Sequence, residues 1–280
     1  MSAARAVAPR GATRHFAIGL ARAVGGAILF GIPLLMTNEM WAFGLTMDRA
    51  RLALLVLVTF PLLVGLSHVS GFEETFGARD DVVDAFVAYA VGFGVGAGVL
   101  LVLGVVGVDM PPRMLIAEVA LQAVPGSMGA LLAQSQLGHG GDATRREGRR
   151  ASYGEELLLM LCGALFLAFN VAPTEEMILL AYIMRAWHVL ALVALSLVVM
   201  HGFVYALDFR GGHQITPGTP VWSVFLRYTV TGYALALLVS AYVLWTFGRL
   251  DETGIAERIT TVVVLGFPAA VGAAAARLIL

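Results

Sequence analysis

Two glutamates at corresponding places in the chain are the first residues whose type and spacing could do chemistry. Glu39 and Glu176 each follow an apolar segment, and each comes two residues after a threonine. A carboxylate inside a bilayer costs roughly 2.5–3.5 kcal/mol on insertion scales, which makes acidic residues at membrane depth functional candidates. If the two carboxylates lay about 5 Å apart, their repulsion at an effective dielectric constant of 20 would be about 3 kcal/mol. Such a pair would share a proton or bind a cation, so Glu39 and Glu176 are the predicted ion and metal ligands.

The segment from Asn170 to Glu176 predicts a broken helix around these acids. Pro173 lacks a backbone donor, and a helix can restart there with carboxylates in its first turn. Because a break exposes backbone carbonyls, and hard cations prefer oxygen ligands, Glu175, Asn38 and Asn170 are predicted to join the ion site. The alternative is that the acids are solvated helix caps in the headgroup region.

Glu118 is a third acidic candidate, one turn into a later apolar segment. Gln122 follows four residues later, which places both side chains on one helical face. We expect Glu118 to act as an auxiliary acid of the ion route. The alternative is a single interhelical hydrogen bond.

Two histidines and an aspartate lie near the opposite ends of the apolar segments. His68, His201 and Asp84 are predicted to form a gate or proton relay, because histidine changes charge near neutral pH. The loop 72–81 beside them is acidic and would attract cations. The alternative has solvated caps and histidines that are bonded to backbone carbonyls.

The composition predicts a polytopic membrane protein. Of 280 residues, 59% are hydrophobic and only 13% are charged, whereas a soluble domain carries about 25% charged residues. All 18 basic residues are arginine, which excludes a lysine Schiff base, and the one cysteine, Cys162, excludes an internal disulfide. No nucleotide-binding or hydrolase motif occurs, so we expect no enzyme activity, no cofactor and no nucleic-acid partner.

The sequence predicts eight membrane-spanning helices, since about 20 mostly apolar residues cross about 30 Å of hydrocarbon. They are 17–37, 52–70, 82–106, 114–137, 156–172, 188–208, 221–247 and 259–280. Arginine placement, above all four arginines in the loop 138–153, predicts cytoplasmic N- and C-termini.

Self-similarity predicts two parallel four-helix repeats. Gly26 precedes Thr37–Met40 by the same spacing as Gly163 precedes Thr174–Met177, 137 residues later. The alternative is that hydrophobic helices merely look alike. The predicted units are a cytoplasmic tail 1–15, repeat 16–137, an arginine-rich cytoplasmic loop 138–153 and repeat 154–280.

The chain resembles uncharacterised bacterial families of integral membrane proteins of unknown function. The segments Thr37–Met40, His68–Glu74 and Pro173–Met177 carry the resemblance, which covers most of residues 16–280. It implies a bacterial inner membrane and no particular activity.

We therefore expect a secondary transporter or channel for a small cation or proton, in contact with the lipid bilayer, and leave a homo-oligomer open. The alternative is a membrane scaffold or sensory subunit that docks a partner through its loops 72–81 and 138–153. A third hypothesis, an intramembrane enzyme acting on lipid, would need His68 or His201 beside an acid in a lateral opening.

Overall fold

The structure is a computed structural model, and it describes residues 10–70, 77–107, 109–137, 152–205 and 221–279. Within these ranges the chain forms helices and short connections, with no strand. The helices are α1 Arg10–Leu35, α2 Asn38–Thr46, α3 Arg49–Ser70, α4 Ala78–Val102, α5 Pro112–Leu137, α6 Tyr153–Val171, α7 Glu175–Ile183, α8 Ala186–Tyr205, α9 with Val221–Val224, a π-helical segment Phe225–Val230 and Thr231–Thr246, and α10 Ile255–Ile279.

Eight helices in the described ranges are long and apolar enough to cross a membrane, namely all except α2 and α7. The predicted all-α fold with eight spans is confirmed. The predicted helix break near Pro173 is also confirmed, because α6 ends at Val171 and α7 begins at Glu175. The first predicted span, 17–37, was wrong at its end. There α1 stops at Leu35, and the hydroxyl of Thr37 caps it by donating to the carbonyl of Pro33.

The two halves of the chain place their helices in the same order. Each has one long helix, one nine-residue helix and three further long helices. The third long helix of each half, α4 or α9, is followed two residues after its end by a glycine with positive φ, Gly104 (72°) or Gly248 (71°), 144 positions apart. Glycine accepts this conformation at helix ends without steric cost. These features favour the predicted duplication, and the parallel repeat stays a prediction.

The last helix of each half is its packing centre. In the first half α5 lies against α1, α3 and α4, and in the second half α10 lies against α6, α8 and α9. The helices cross at glycines, Gly26 with Gly129 and Gly163 with Gly272. A Cβ atom at Gly129 would lie 2.6 Å from the carbonyl oxygen of Gly26. Small residues let helix backbones approach this closely, which is how helices associate in lipid.

The predicted boundaries between the units are only partly described. The predicted N-terminal tail, 1–15, overlaps the start of α1, which begins at Arg10. Residues 1–9 and most of the arginine-rich loop, 138–151, lie outside the described residues. At the end of that loop, Ser152 and Glu155 form a capping box that starts α6.

Candidate functional site

The predicted glutamate pair lies at the starts of the two short helices. Glu39 is in the first turn of α2 and is half-buried, whereas Glu176 is in the first turn of α7 and is exposed. Asn38, the first residue of α2, is also exposed. Within the described residues, neither glutamate side chain makes a hydrogen bond or ion pair. Their pairing around an ion therefore stays a prediction.

The two remaining candidates around the helix break have protein partners. An Oε1 atom of Glu175 accepts a hydrogen bond of 2.8 Å from Nη2 of Arg249, and the same nitrogen donates to the carbonyl of Pro173. The Nδ2 atom of Asn170 donates to the carbonyl of Phe166 at 2.7 Å. Arg249 thus ties the connection after α9 to the start of α7, and Glu175 takes part in that tie.

Glu118 on α5 is the most deeply buried acid among the spans. It is 1% exposed, and its Oε2 atom has no hydrogen-bond partner among the described residues. The carboxyl group lies directly on the backbone of Gly44 in α2, where a Cβ atom would overlap it. Beside it, Arg49 donates to the carbonyl oxygens of Gly44 and Leu45 at 2.9 and 3.1 Å. The short helix α2 therefore packs directly against the buried carboxyl group of Glu118.

Gln122 lies one turn further along α5 and is equally buried. Its Nε2 atom donates to the carbonyl of Leu34 in α1 at 3.2 Å. This is an interhelical hydrogen bond, as the alternative interpretation of Glu118 and Gln122 predicted. Its Oε1 atom has no partner in the described part of the chain. Glu118 and Gln122 together form a buried polar stripe at the centre of the first half.

At the predicted cytoplasmic end, the His68 ring lies between two carboxylates. Nδ1 of His68 lies 3.1 Å from Oδ2 of Asp81 in α4, and Nε2 lies 3.9 Å from Oε1 of Glu155 in α6. Asp81 is buried, and Asp84 accepts a 3.1 Å hydrogen bond from the hydroxyl of Ser67. His68 therefore contacts both halves of the chain, and Asp84 lies on the same end of α4.

His201 lies elsewhere, against the π-helical turns of α9. Its Nδ1 atom is 3.1 Å from the hydroxyl of Thr229, which is fully buried, and its ring packs on Phe225. π-helical turns inside α-helices are frequently found at functional sites. The two predicted histidines thus belong to different clusters, one between the halves and one within the second half.

Sequence reasoning missed several residues that complete these clusters. Asp81, Glu155 and Thr229 contact the histidines, and Gly44 receives the Glu118 carboxyl group. Two sequence features could have pointed to these contacts: the acidic residues at the start of α4, and Gly44 between an aromatic and an apolar residue of α2.

A cleft of about 370 Å³ opens between the halves at the predicted outer end. On its wall, Arg51 of α3 binds both oxygens of Asp251 at 2.7 and 3.0 Å and stacks on Trp245. The hydrogen bond from Arg51 lowers the pKa of Asp251 below its ordinary value. Phe43 and Phe247 meet beside the cleft with ring centroids 4.9 Å apart. This contact and the ion pair join the two halves.

In the part of the chain that the structure describes, no three His, Cys, Asp or Glu side chains are grouped closely enough to hold a metal ion. The fold and the buried polar groups define a polytopic α-helical integral membrane protein. The chain belongs to the family described as "Putative integral membrane protein (DUF2391)", whose model matches residues 19–280. This confirms the resemblance to a family of unknown function. No curated protein and no solved structure matches the chain.

Proposed function

We propose that this membrane protein moves protons or a small cation across the bilayer, with Glu118 as the carboxyl group that carries the ion at membrane depth. It is a secondary transporter or channel and not an enzyme. Both termini face the cytoplasm of a bacterium, and the spans lie in its inner membrane. Glu39 and Glu176 line the outer entrance, and the cluster of His68 and Asp81 lies at the opposite end.

The observation that carries the proposal is the isolation of the Glu118 carboxyl group. Removing an ionised carboxylate from water without a partner costs far more than an ordinary side-chain contact returns. A buried acid that serves the fold would have its oxygens hydrogen-bonded, yet the Oε2 atom of Glu118 has no partner among the described residues. Glu118 therefore holds a proton or a cation in its resting state, and release of that ion is the elementary step of transport.

The surroundings of Glu118 support reversible occupation. The acid lies about two turns from the start of α5, near the end of the span where Glu39 is found. Gly44 leaves room for the carboxyl group, and the guanidinium of Arg49, which caps α2, is the cation on that side. Movement of α2 would open or cover Glu118 without unfolding a span.

The proposal is tested by ion flux into proteoliposomes that contain pH-sensitive and cation-sensitive dyes. We expect Glu118→Gln to abolish flux, because an amide cannot exchange a proton. The double variant of Glu39→Gln and Glu176→Gln should reduce the rate without abolishing it. Glu252→Gln is the matched control, since Glu252 is exposed in the connection before α10.

Two results would contradict the proposal. Flux that is unchanged in Glu118→Gln would remove this residue from the route. If the wild-type protein carried neither protons nor alkali or alkaline-earth cations, the scaffold alternative would be favoured. Of the loops that would dock a partner, residues 72–76 and 138–151 lie outside the described residues.

A further inference from the structure

We propose that the ion held by Glu118 is a proton and not a metal cation, and that the side-chain oxygen of Gln122 accepts a hydrogen bond from the protonated carboxyl group. The inference rests on the proposed function and deepens it by naming the ion. Its basis is a pair of buried oxygen atoms that lack donors, set among backbone carbonyls that already have them.

The two oxygen atoms belong to side chains on one face of α5. Oε2 of Glu118 and Oε1 of Gln122 have no hydrogen-bond partner among the described residues, and each residue is 1% exposed. Side chains four residues apart on a helix are neighbours, and both lean toward the N-terminus of the helix, so Gln122 leans toward Glu118. Two neighbouring acceptors repel each other, whereas a single proton on Oε2 supplies the one donor that satisfies both.

The contacts of Gln122 fix the role of its amide oxygen. Its Nε2 atom donates to the carbonyl of Leu34 in α1 at 3.2 Å, and a carbonyl can only accept, so the amide nitrogen has to point toward α1. On α4, Gly96 packs against the same side chain, and a Cβ atom there would lie 3.5 Å from the Cβ atom of Gln122. Turning the amide over would set two oxygen atoms against each other. The Oε1 atom is therefore an acceptor, and it matches a carboxyl group that carries its proton and not an ionised one.

The backbone carbonyls near Glu118 are already engaged and do not offer a metal ion its ligands. Hard cations are bound by several oxygen atoms, among them carboxylates and backbone carbonyls. At the ends of α1 and α2, the carbonyls accept hydrogen bonds from side chains: Pro33 from Thr37, Leu34 from Gln122, Leu35 from Trp41, and Gly44 and Leu45 from Arg49. A metal ion would have to compete with these donors, whereas a proton needs only the two unpartnered oxygens.

The charges around Glu118 also favour a proton. The helices that pack on α5 bring Glu39 of α2 and Arg49 and Arg51 of α3 to this end, and their other charged residues lie nearer the opposite end. Arg51 is paired with Asp251, and the charge of Arg49 acts on the Glu118 carboxyl group. A cationic side chain repels a metal ion but stabilises the carboxylate that forms when the proton leaves.

Proton release from Glu118 is then a simple exchange with water. The O–H bond at Oε2 breaks, the proton passes to water, and the electron pair remains on the carboxylate beside Arg49. In this state Oε2 and the Gln122 oxygen again lack a donor, so the ionised site is the less stable one. The stability comparison of the wild type with Glu118→Met therefore applies at a pH where the carboxyl group is ionised.

Infrared spectroscopy of the full chain in lipid nanodiscs, recorded over a pH series without an ion gradient, tests the inference. We expect a carbonyl band of a protonated carboxylic acid that is missing in Glu118→Gln. The pH at which half of this band is lost should stay the same when sodium, potassium or calcium chloride replaces choline chloride at equal ionic strength. A metal ion bound by the carboxylate would compete with the proton, so a midpoint that falls as the metal concentration rises would overturn the inference. The absence of the band at every pH would do the same.

Replacing Gln122 tests the hydrogen bond. Gln122→Leu removes the acceptor, so the band should move to higher wavenumber and the proton affinity should fall about fivefold, the factor that corresponds to a net hydrogen bond of about 1 kcal/mol. Ser127→Ala is the matched control, because Ser127 is also buried in α5 and its hydroxyl donates to the carbonyl of Val124 at 2.8 Å. This control should leave the band and its midpoint unchanged. An unchanged band in Gln122→Leu, or an equal shift in Ser127→Ala, would overturn the role given to Gln122.

These measurements separate the inference from transport itself, because binding is measured without a gradient and the metal competition needs no variant of Gln122. A band that is insensitive to metal ions, in a protein that carries no proton flux, would support the proton site and contradict the proposed function. Proton flux together with a metal-sensitive band would do the reverse.

Discussion

Replacing Glu118 by methionine is expected to stabilise the fold while it removes ion transport. The two side chains have similar length, so Glu118→Met fills the space beside Gly44 while it replaces the carboxyl group by an apolar thioether sulfur and methyl group. A buried polar group without a hydrogen-bond partner costs about 1–3 kcal/mol. We therefore expect the free energy of unfolding to rise by about that amount. Such an exchange of stability for function is common at functional sites.

The assay is reversible unfolding of the purified protein in lipid micelles, with transport measured on the same preparation. Tyr89→Phe provides a reference of opposite sign, because the hydroxyl of Tyr89 donates to the carbonyl of Val56 in α3. Hydrogen bonds between membrane helices contribute about 0.6 kcal/mol on average, so this variant should be slightly less stable. If Glu118→Met were destabilised by more than about 1 kcal/mol, Glu118 would have a structural partner, and the reasoning would be wrong.

Three further predictions concern the ion pair of Asp251 and the close contacts of Gly44 and Gly163. Because its arginine partner lowers the pKa of Asp251, their ion pair stabilises the fold above the ordinary aspartate pKa near 4 and is lost as pH falls through the lowered value. Asp251→Asn should therefore cost about 0.2–1 kcal/mol at pH 7 and nothing in strong acid, and a pH-independent difference in unfolding would refute this. Gly44→Ala should cost about 1–3 kcal/mol by pushing its Cβ into the Glu118 carboxyl group, and adding Glu118→Ala should restore part of the loss. Strict additivity in that double-mutant cycle would show that the two residues do not touch. Gly163→Ala should cost a similar amount, because its Cβ would overlap the carbonyl of Gly272, and a neutral effect on thermal unfolding would place the helices further apart.

The fold was predictable because its main determinant is local. Each long apolar run forms one span, and Pro173 marks the break before α7 in the sequence itself. The matching break before α2 was missed, since Pro33 lies inside α1 and the helix ends only after Leu35. A proline within an apolar run does not by itself say where the run stops.

The candidate site was less predictable because it depends on which side chains meet. Glu118 was selected as an acid within a predicted span, and it is buried there, but its contact with Gly44 follows from the packing of α2 on α5. Likewise, His68 is followed by an acidic segment, but only the packing of α3 on α4 and α6 brings Asp81 and Glu155 to its two nitrogens. Such contacts join residues that are far apart in the chain.

Infrared difference spectroscopy tests the central claim most directly, by comparing the protein in bilayers with and without an inward proton or cation gradient. The account predicts a carbonyl band of a protonated carboxylic acid that changes with the gradient and is missing in Glu118→Gln. A spectrum without such a band, or one in which the band persists in that variant, would contradict the role given to Glu118.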